Sequence, residues 1–213
     1  MTSILRTSVY IDGFNLYYRA LKGTPHKWLD LKAMLSFLLP TRCRIARIKY
    51  FTAIVSGNFD PRKPGRQKTY IRALEKHIPE LSVHYGNFLS NPVSACRYPL
   101  TRPPSFVNIL KTEEKGSDVN LALHLLNDAW RDEYDCAVLV SNDSDLAEAL
   151  RMAREERGKT IGLVSPVQKG QGHPSFSLQR YAHFTRQIRA GVLAASQLPS
   201  PIPGTTIRKP ADW

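Results

Sequence analysis

The sequence predicts a three-layer α/β/α domain with a mainly parallel central sheet. Three observations carry this. Short apolar runs alternate with stretches of helical periodicity through most of the 213 residues, the order of strands crossing over through helices. One run, Cys136 to Val140, is apolar throughout, as expected of a strand covered on both faces. Two such runs are followed by aspartates, Asp12 at once and Asp143 after Ser141-Asn142, at the strand ends where open α/β sheets bind their ligands.

The first strand is expected over Ile4 to Ile11 and closes on Asp12-Gly13. Phe14 to Leu21 reads as a short helix broken by Gly23 and Pro25. Asp30 to Leu39 is a helix stopped by Pro40, and Arg44 to Ile54 a second strand. A loop over 58–65 leads to a helix from about Arg66 to His77, and Leu81 to Tyr85 is a short strand. Gly86 to Pro104, with four prolines, is expected to be irregular and functional or mobile. Phe106 to Lys111 is strand-like. Asp118 to Trp130 and Leu146 to Glu156 are helices, and Thr160 to Val164 is a strand. Leu178 to Phe184 and Arg189 to Gln197 are short helices. These assignments divide the chain into a domain over 1–185 and, over 186–213, a C-terminal helix with a Pro-rich extended tail.

The formal net charge is +12, and it is unevenly spread. Residues 1–110 hold 17 Lys and Arg against 5 acids, residues 111–165 hold 7 against 12, and residues 166–213 hold 6 against 1. A basic body gathers a polyanion; an acidic segment within it can hold cations that act on that polyanion. The bland alternative is a basic surface that serves solubility alone. Three unclustered cysteines (Cys43, Cys96, Cys136) argue against a disulfide framework or a zinc site and fit a reducing, cytoplasmic setting. No signal peptide or membrane span is expected. The phosphate-binding P-loop, the Gly-x-Ser-x-Gly elbow and the dinucleotide glycine fingerprint are all missing.

The candidate site residues lie in three places: Asp12 with Asn15, Asp118 after Lys115-Gly116-Ser117, and Asp143 with Asp145. Each acid has a competing reading as a helix cap. Capping explains one of Asp143 and Asp145 well and the second poorly. Acids gathered in one crevice repel each other and are stabilised by a divalent cation. Arg62, Lys63, Arg66 and Lys68 surround Tyr70, and Arg42, Arg44, Arg47 and Lys49 form a second basic group. Either group can track phosphates while an aromatic stacks on a base, or simply be solvated. Lys115 is a phosphate-neutralising cation or a surface lysine.

Tyr10-Ile11-Asp12-Gly13-Phe14-Asn15-Leu16, Glu114-Lys115-Gly116-Ser117-Asp118-Val119 and Leu139-Val140-Ser141-Asn142-Asp143-Ser144-Asp145-Leu146, in this order, resemble the NYN domain of the PIN-like nuclease superfamily. The resemblance is greatest to its bacterial LabA/DUF88-like branch and covers roughly residues 5 to 185. It implies a PIN-like fold and a ribonuclease dependent on Mg2+ or Mn2+, cleaving phosphodiester bonds with a metal-activated water. Asp12, Asp118 and Asp143 are then the metal residues, Asp145 and Asn15 their supports, and Glu114 a candidate fourth acid. Lys115 and the arginines and lysines over 62–68 would place single-stranded or structured RNA, and homodimers are common among PIN-type domains. Asn142 stands where the family often has Gly, a position that Asn can fill at positive φ. Two other readings stay open: an RNA-binding regulatory module with a vestigial metal site, and a small-molecule phosphohydrolase.

Overall fold

The computed structural model describes residues 3–58, 60–167 and 172–213. Met1, Thr2, residues 168–171 and Phe59, the last within the loop expected over 58–65, lie outside the described residues.

Six parallel strands form the main sheet. β1 (Leu5–Asp12) lies between β2 (Cys43–Thr52) and β6 (Cys136–Val140). β3 (Leu81–Tyr85) extends the sheet beyond β2, while β7 (Thr160–Ser165) and then β8 (Phe184–Gln187) extend it beyond β6. The chain therefore leaves β1 toward one edge and later returns beside it to build the other. This reversal opens a crevice at the carboxyl ends of β1 and β6.

Alternate residues of the central strands feed two cores. Val9, Ile11, Val138 and Val140 pack with α2 (Leu31–Leu38), α3 (Lys63–His77) and α7 (Ala190–Ala195). Tyr10, Ala137 and Leu139 pack with α4 (Ser117–Trp130), α5 (Ala147–Glu155) and α6 (Phe176–Gln179). The result is the three-layer arrangement expected from the alternation of strands and helices. All five residues of β6 are buried, which accounts for their uniform apolarity. Among the described residues no helix is long and apolar enough to cross a membrane.

Two expectations are corrected, and the course of the tail is resolved. The irregular stretch over 86–104 is mostly a strand: β4 (Asn87–Cys96) pairs antiparallel with β5 (Phe106–Lys115), from Asn87 opposite Lys115 to Cys96 opposite Phe106. Proline is tolerated there because each strand of a two-stranded ribbon keeps a free edge. Pro92 sits inside β4, whereas Pro99, Pro103 and Pro104 fall in the connection at the tip. The helix expected over 178–184 spans Phe176–Gln179, and Phe184 begins the edge strand β8. That strand is only four residues long and largely polar, so it lacks a strand's apolar signature. The Pro-rich tail also packs back on the domain. Ile202 is buried, Ile207 and Trp213 pack on the same core, and the Trp213 ring lies 5.6 Å from Tyr70 and 6.3 Å from Trp28.

Lys49 is an interior cation. Its Nζ lies 2.6 Å from Asp128 Oδ2, with both side chains largely buried, and Tyr10 donates its hydroxyl to the same oxygen at 2.7 Å. The His84 and His124 rings pack beside it, 4.3 Å apart. Burial, then the charges of His124 and Lys49, bring His84 down to about 4. His84 is therefore neutral at pH 7 and leaves Lys49 to balance Asp128. Removing one partner from a buried pair leaves the other charge uncompensated. Lys49→Met should lower the unfolding free energy by about 3–5 kcal/mol in urea titrations; a loss near zero would show that Asp128 is adequately solvated without the lysine.

Candidate active site

β1 ends in Asp12, a residue only 4 % exposed. One oxygen, Oδ1, accepts the backbone N–H of Asn15 at 2.9 Å and thereby caps α1 (Gly13–Leu16). The other, Oδ2, accepts the Ser141 hydroxyl at 2.9 Å. Ser141 Oγ in turn accepts the backbone N–H of Asp143 at 3.1 Å. A single serine thus links the ends of the two central strands through Asp12 and Asp143. Gly13 permits the close turn out of β1, since a Cβ there would stand 2.7 Å from the Phe51 carbonyl oxygen and the Tyr50 ring.

The second segment enters from the hairpin. β5 passes through Gly116, at φ 94°, into α4, whose first turn carries Asp118. Only glycine occupies that left-handed conformation without strain. Glu114 Oε1 accepts the backbone N–H of Ser117 at 3.0 Å, an interaction that satisfies one free donor of the helix start.

The crevice is lined by Asp12, Asp118, Asp143 and Glu114 together with Asn15 and Arg19, and by the rings of Phe14, Tyr18 and Phe88. Three acids expected to share a crevice do share it, and Glu114 joins them as the fourth. Asp143 also caps the short turn that follows, accepting the backbone N–H of Asp145 at 3.1 Å. Asp145 itself is exposed and does not line the crevice, although its charge reaches Asp118. The Asn15 side-chain oxygen accepts the backbone N–H of Asn142 at 3.0 Å, so this amide braces the loop after β6.

Asn142 does not use positive φ; among the described non-glycine residues only Asp132 does. Its side-chain oxygen instead accepts the Ser175 N–H at 2.7 Å, which ties down the segment before α6. Of the expected phosphate contacts, Lys115 pairs with Glu113 at 3.2 Å. Arg62 and Arg66 pair with Asp212 at 3.3 and 2.7 Å, and Arg66 also with Asp60. Lys63 and Lys68 are exposed. Within the second basic group, Arg47 pairs with Glu133 and Lys49 is the interior cation described above. Arg19, Phe88 and the linking role of Ser141 were not expected. Arg19 and Phe88 sit on segments with no motif of their own, while Ser141 had a visible signal as a hydroxyl between a strand and an acidic pair.

Two acids of this crevice, Asp118 and Asp12, are held above the usual carboxylate range, chiefly by burial. Burial, followed by the charges of Asp12, Asp143, Glu114 and Asp145, brings Asp118 up to about 6. Burial likewise pushes the Asp12 carboxyl up, partly offset by its bonds from Asn15 and Ser141. These are hard carboxylate oxygens, the donor set suited to Mg2+ or Mn2+. Among the described residues, however, no three His, Cys, Asp or Glu side chains converge closely enough to hold one ion by themselves.

The fold is a three-layer α/β/α domain of PIN-like type, with an acidic crevice at the carboxyl ends of its central strands. The chain matches the NYN domain over residues 6–187 and belongs to that family. Family membership supports a nuclease-type hydrolase activity in general. A relative from Pseudomonas putida, named 6-hydroxy-3-succinoylpyridine 3-monooxygenase HspA, is 38% identical over 98% of this chain and 75% of its own length. A solved structure of a Vibrio parahaemolyticus protein of unknown function shares the fold, with a TM-score of 0.54 and 16% identity over 88% of this chain and 96% of that one.

A carboxyl held above its ordinary value of 3.8 binds its proton more tightly in the folded chain than in the unfolded one. Asp118 therefore favours folding in acid, and that contribution disappears as pH rises through about 6. In EDTA at pH 7.5, Asp118→Asn should melt roughly 2–4 °C above the parent, a modest gain because the group is partly solvated. Mn2+ should raise the parent's Tm and leave the variant's nearly unchanged. An unchanged or lower Tm in EDTA would show that Asp118 is not repelled by its neighbours.

Proposed function

We propose that the crevice hydrolyses RNA phosphodiester bonds with the help of Mg2+ or Mn2+. The observation that carries this reading is the gathering of Asp12, Asp118, Asp143 and Glu114 in one crevice of a chain with net charge +12, where burial and then the neighbouring acids hold Asp118 up at about 6. Such a site is stabilised by a divalent cation, and the rest of the molecule attracts a polyanion.

Asp12, Asp118 and Asp143 are the proposed holders of the cation, with Glu114 beside them. Because no three acids among the described residues converge to hold an ion by themselves, it would keep several waters and take further oxygens from substrate phosphate, the usual habit of Mg2+. When bound, the ion supplies Lewis-acid stabilisation of phosphate charge and a more acidic water. The chain's own groups do the positioning. Ser141 and the Asn15 N–H fix the Asp12 carboxylate, and Ser141 also fixes the backbone that presents Asp143. Arg19 offers a guanidinium to a phosphate oxygen. Phe14 and Phe88, with ring centroids 5.5 Å apart, form an apolar wall that limits water on one side. Asp145 acts from outside the crevice by orienting water. Lys63 and Lys68 guide the strand, and the pairing of Arg62 and Arg66 makes them weaker guides. Attack by water leaves a 5′-phosphate and a 3′-hydroxyl.

Purified protein with Mn2+ should cleave RNA to those ends. Asp118→Asn should abolish cleavage, and Ser141→Ala should lower the rate by about 10–100-fold through the acids it positions. A 2′,3′-cyclic phosphate product, or cleavage that survives Asp118→Asn, would reject the mechanism. Binding of RNA without cleavage would favour the regulatory-module reading.

The P. putida relative supports a second reading, oxygenation of a hydroxypyridine, because its likeness extends over nearly the whole chain. Oxygen uptake with 6-hydroxy-3-succinoylpyridine and a reduced nicotinamide distinguishes the two. Substrate-dependent uptake without RNA cleavage would replace the nuclease reading.

A further inference from the structure

A second cavity adjoins the acidic crevice and has different chemistry. It measures about 120 Å3 and lies among the helical turn after α1, strand β2, helix α3 and the returning tail. Tyr17, Tyr50, Tyr70 and Trp213 line it. Phe14 and Tyr18 line both this cavity and the crevice, so the two are neighbours across one aromatic wall.

Two features make the lining more than a gap in the core. The indole Nε1 of Trp213 is buried and has no hydrogen-bond partner among the described residues. That atom is closed off from the cavity as it stands, so it gains a partner when a ligand acceptor enters and the indole turns toward the space. Lys27 and Lys63 also line the cavity, and neither has an ion partner among the described residues. Arg66 is already balanced by Asp60 and Asp212, so these two lysines supply the unmatched positive charge.

We propose that this cavity binds one planar heteroaromatic ring bearing an anionic group. The aromatic walls take the ring, the Trp213 N–H meets a ring heteroatom or carbonyl, and Lys27 and Lys63 hold the anion. Size restricts the ring: an apolar cavity of roughly 150 Å3 accommodates benzene, so the space here suits a single six-membered ring and not a purine. Two sources share this chemistry, a pyrimidine nucleotide and a free pyridine carboxylate. The proposal does not depend on the reading of the acids, because binding needs no metal.

The test is calorimetric titration in EDTA with uridine 5′-monophosphate, adenosine 5′-monophosphate and pyridine-3-carboxylate. Uridine monophosphate or pyridine-3-carboxylate should bind at least 10-fold tighter than the purine nucleotide. Preference for the first identifies a base of the bound strand, and preference for the second a free small molecule; either supports the site. Tyr17→Ala should weaken binding at least 10-fold. Lys63→Glu, a change at an exposed position, should do the same and keeps the test valid if the tyrosine variant unfolds. Failure of both single-ring ligands to bind at millimolar concentration, equal binding of the purine, or unchanged binding in Lys63→Glu would overturn the proposal.

Discussion

The Asp12 carboxylate is the point on which the rest of the arrangement turns. It is almost fully buried, and one of its oxygens caps the helix after β1 while the other holds Ser141 beyond β6. Burial alone would favour its neutral form, and the two donors oppose that tendency. The same bonds fix the distance between the ends of the two central strands. Asp143 inherits its position from this link, because its N–H bonds to the serine that bonds Asp12. A substitution at Ser141 would therefore disturb two acids without touching either carboxylate's chemistry directly.

Much of this was legible because both signals are local. The strand interiors alternate in their burial partners, and Asp12 and Asp143 stand within two residues of the ends of apolar runs. Capping is one role of Asp12 in the structure: one oxygen caps α1, and the residue also lines the crevice. Asp143 behaves likewise, whereas exposed Asp145 is farther from the shared site. The hairpin was less legible because proline is a poor guide in a ribbon with free edges. Arg19 and Phe88 were not legible at all, since their importance arises only when distant segments meet.

The basic surface needs a similar division. Charge counts treated Arg47, Lys49, Arg62 and Arg66 alike, but three of them are partnered at or near the surface and Lys49 is inside. A count measures long-range attraction for a polyanion; it does not identify the side chains that touch it. Those must be cations with unspent charge near the crevice, which directs attention to Arg19, Lys27 and Lys63.

The β4–β5 hairpin pairs only with itself and stands apart from the six-stranded sheet. Its second strand runs without interruption into Gly116 and the turn that bears Asp118. The four acids of the crevice thus have two origins: Glu114 and Asp118 take their places from the end of this hairpin, whereas Asp12 and Asp143 take theirs from the central strands. Any partner that fixes the hairpin also fixes one half of the acidic set relative to the other.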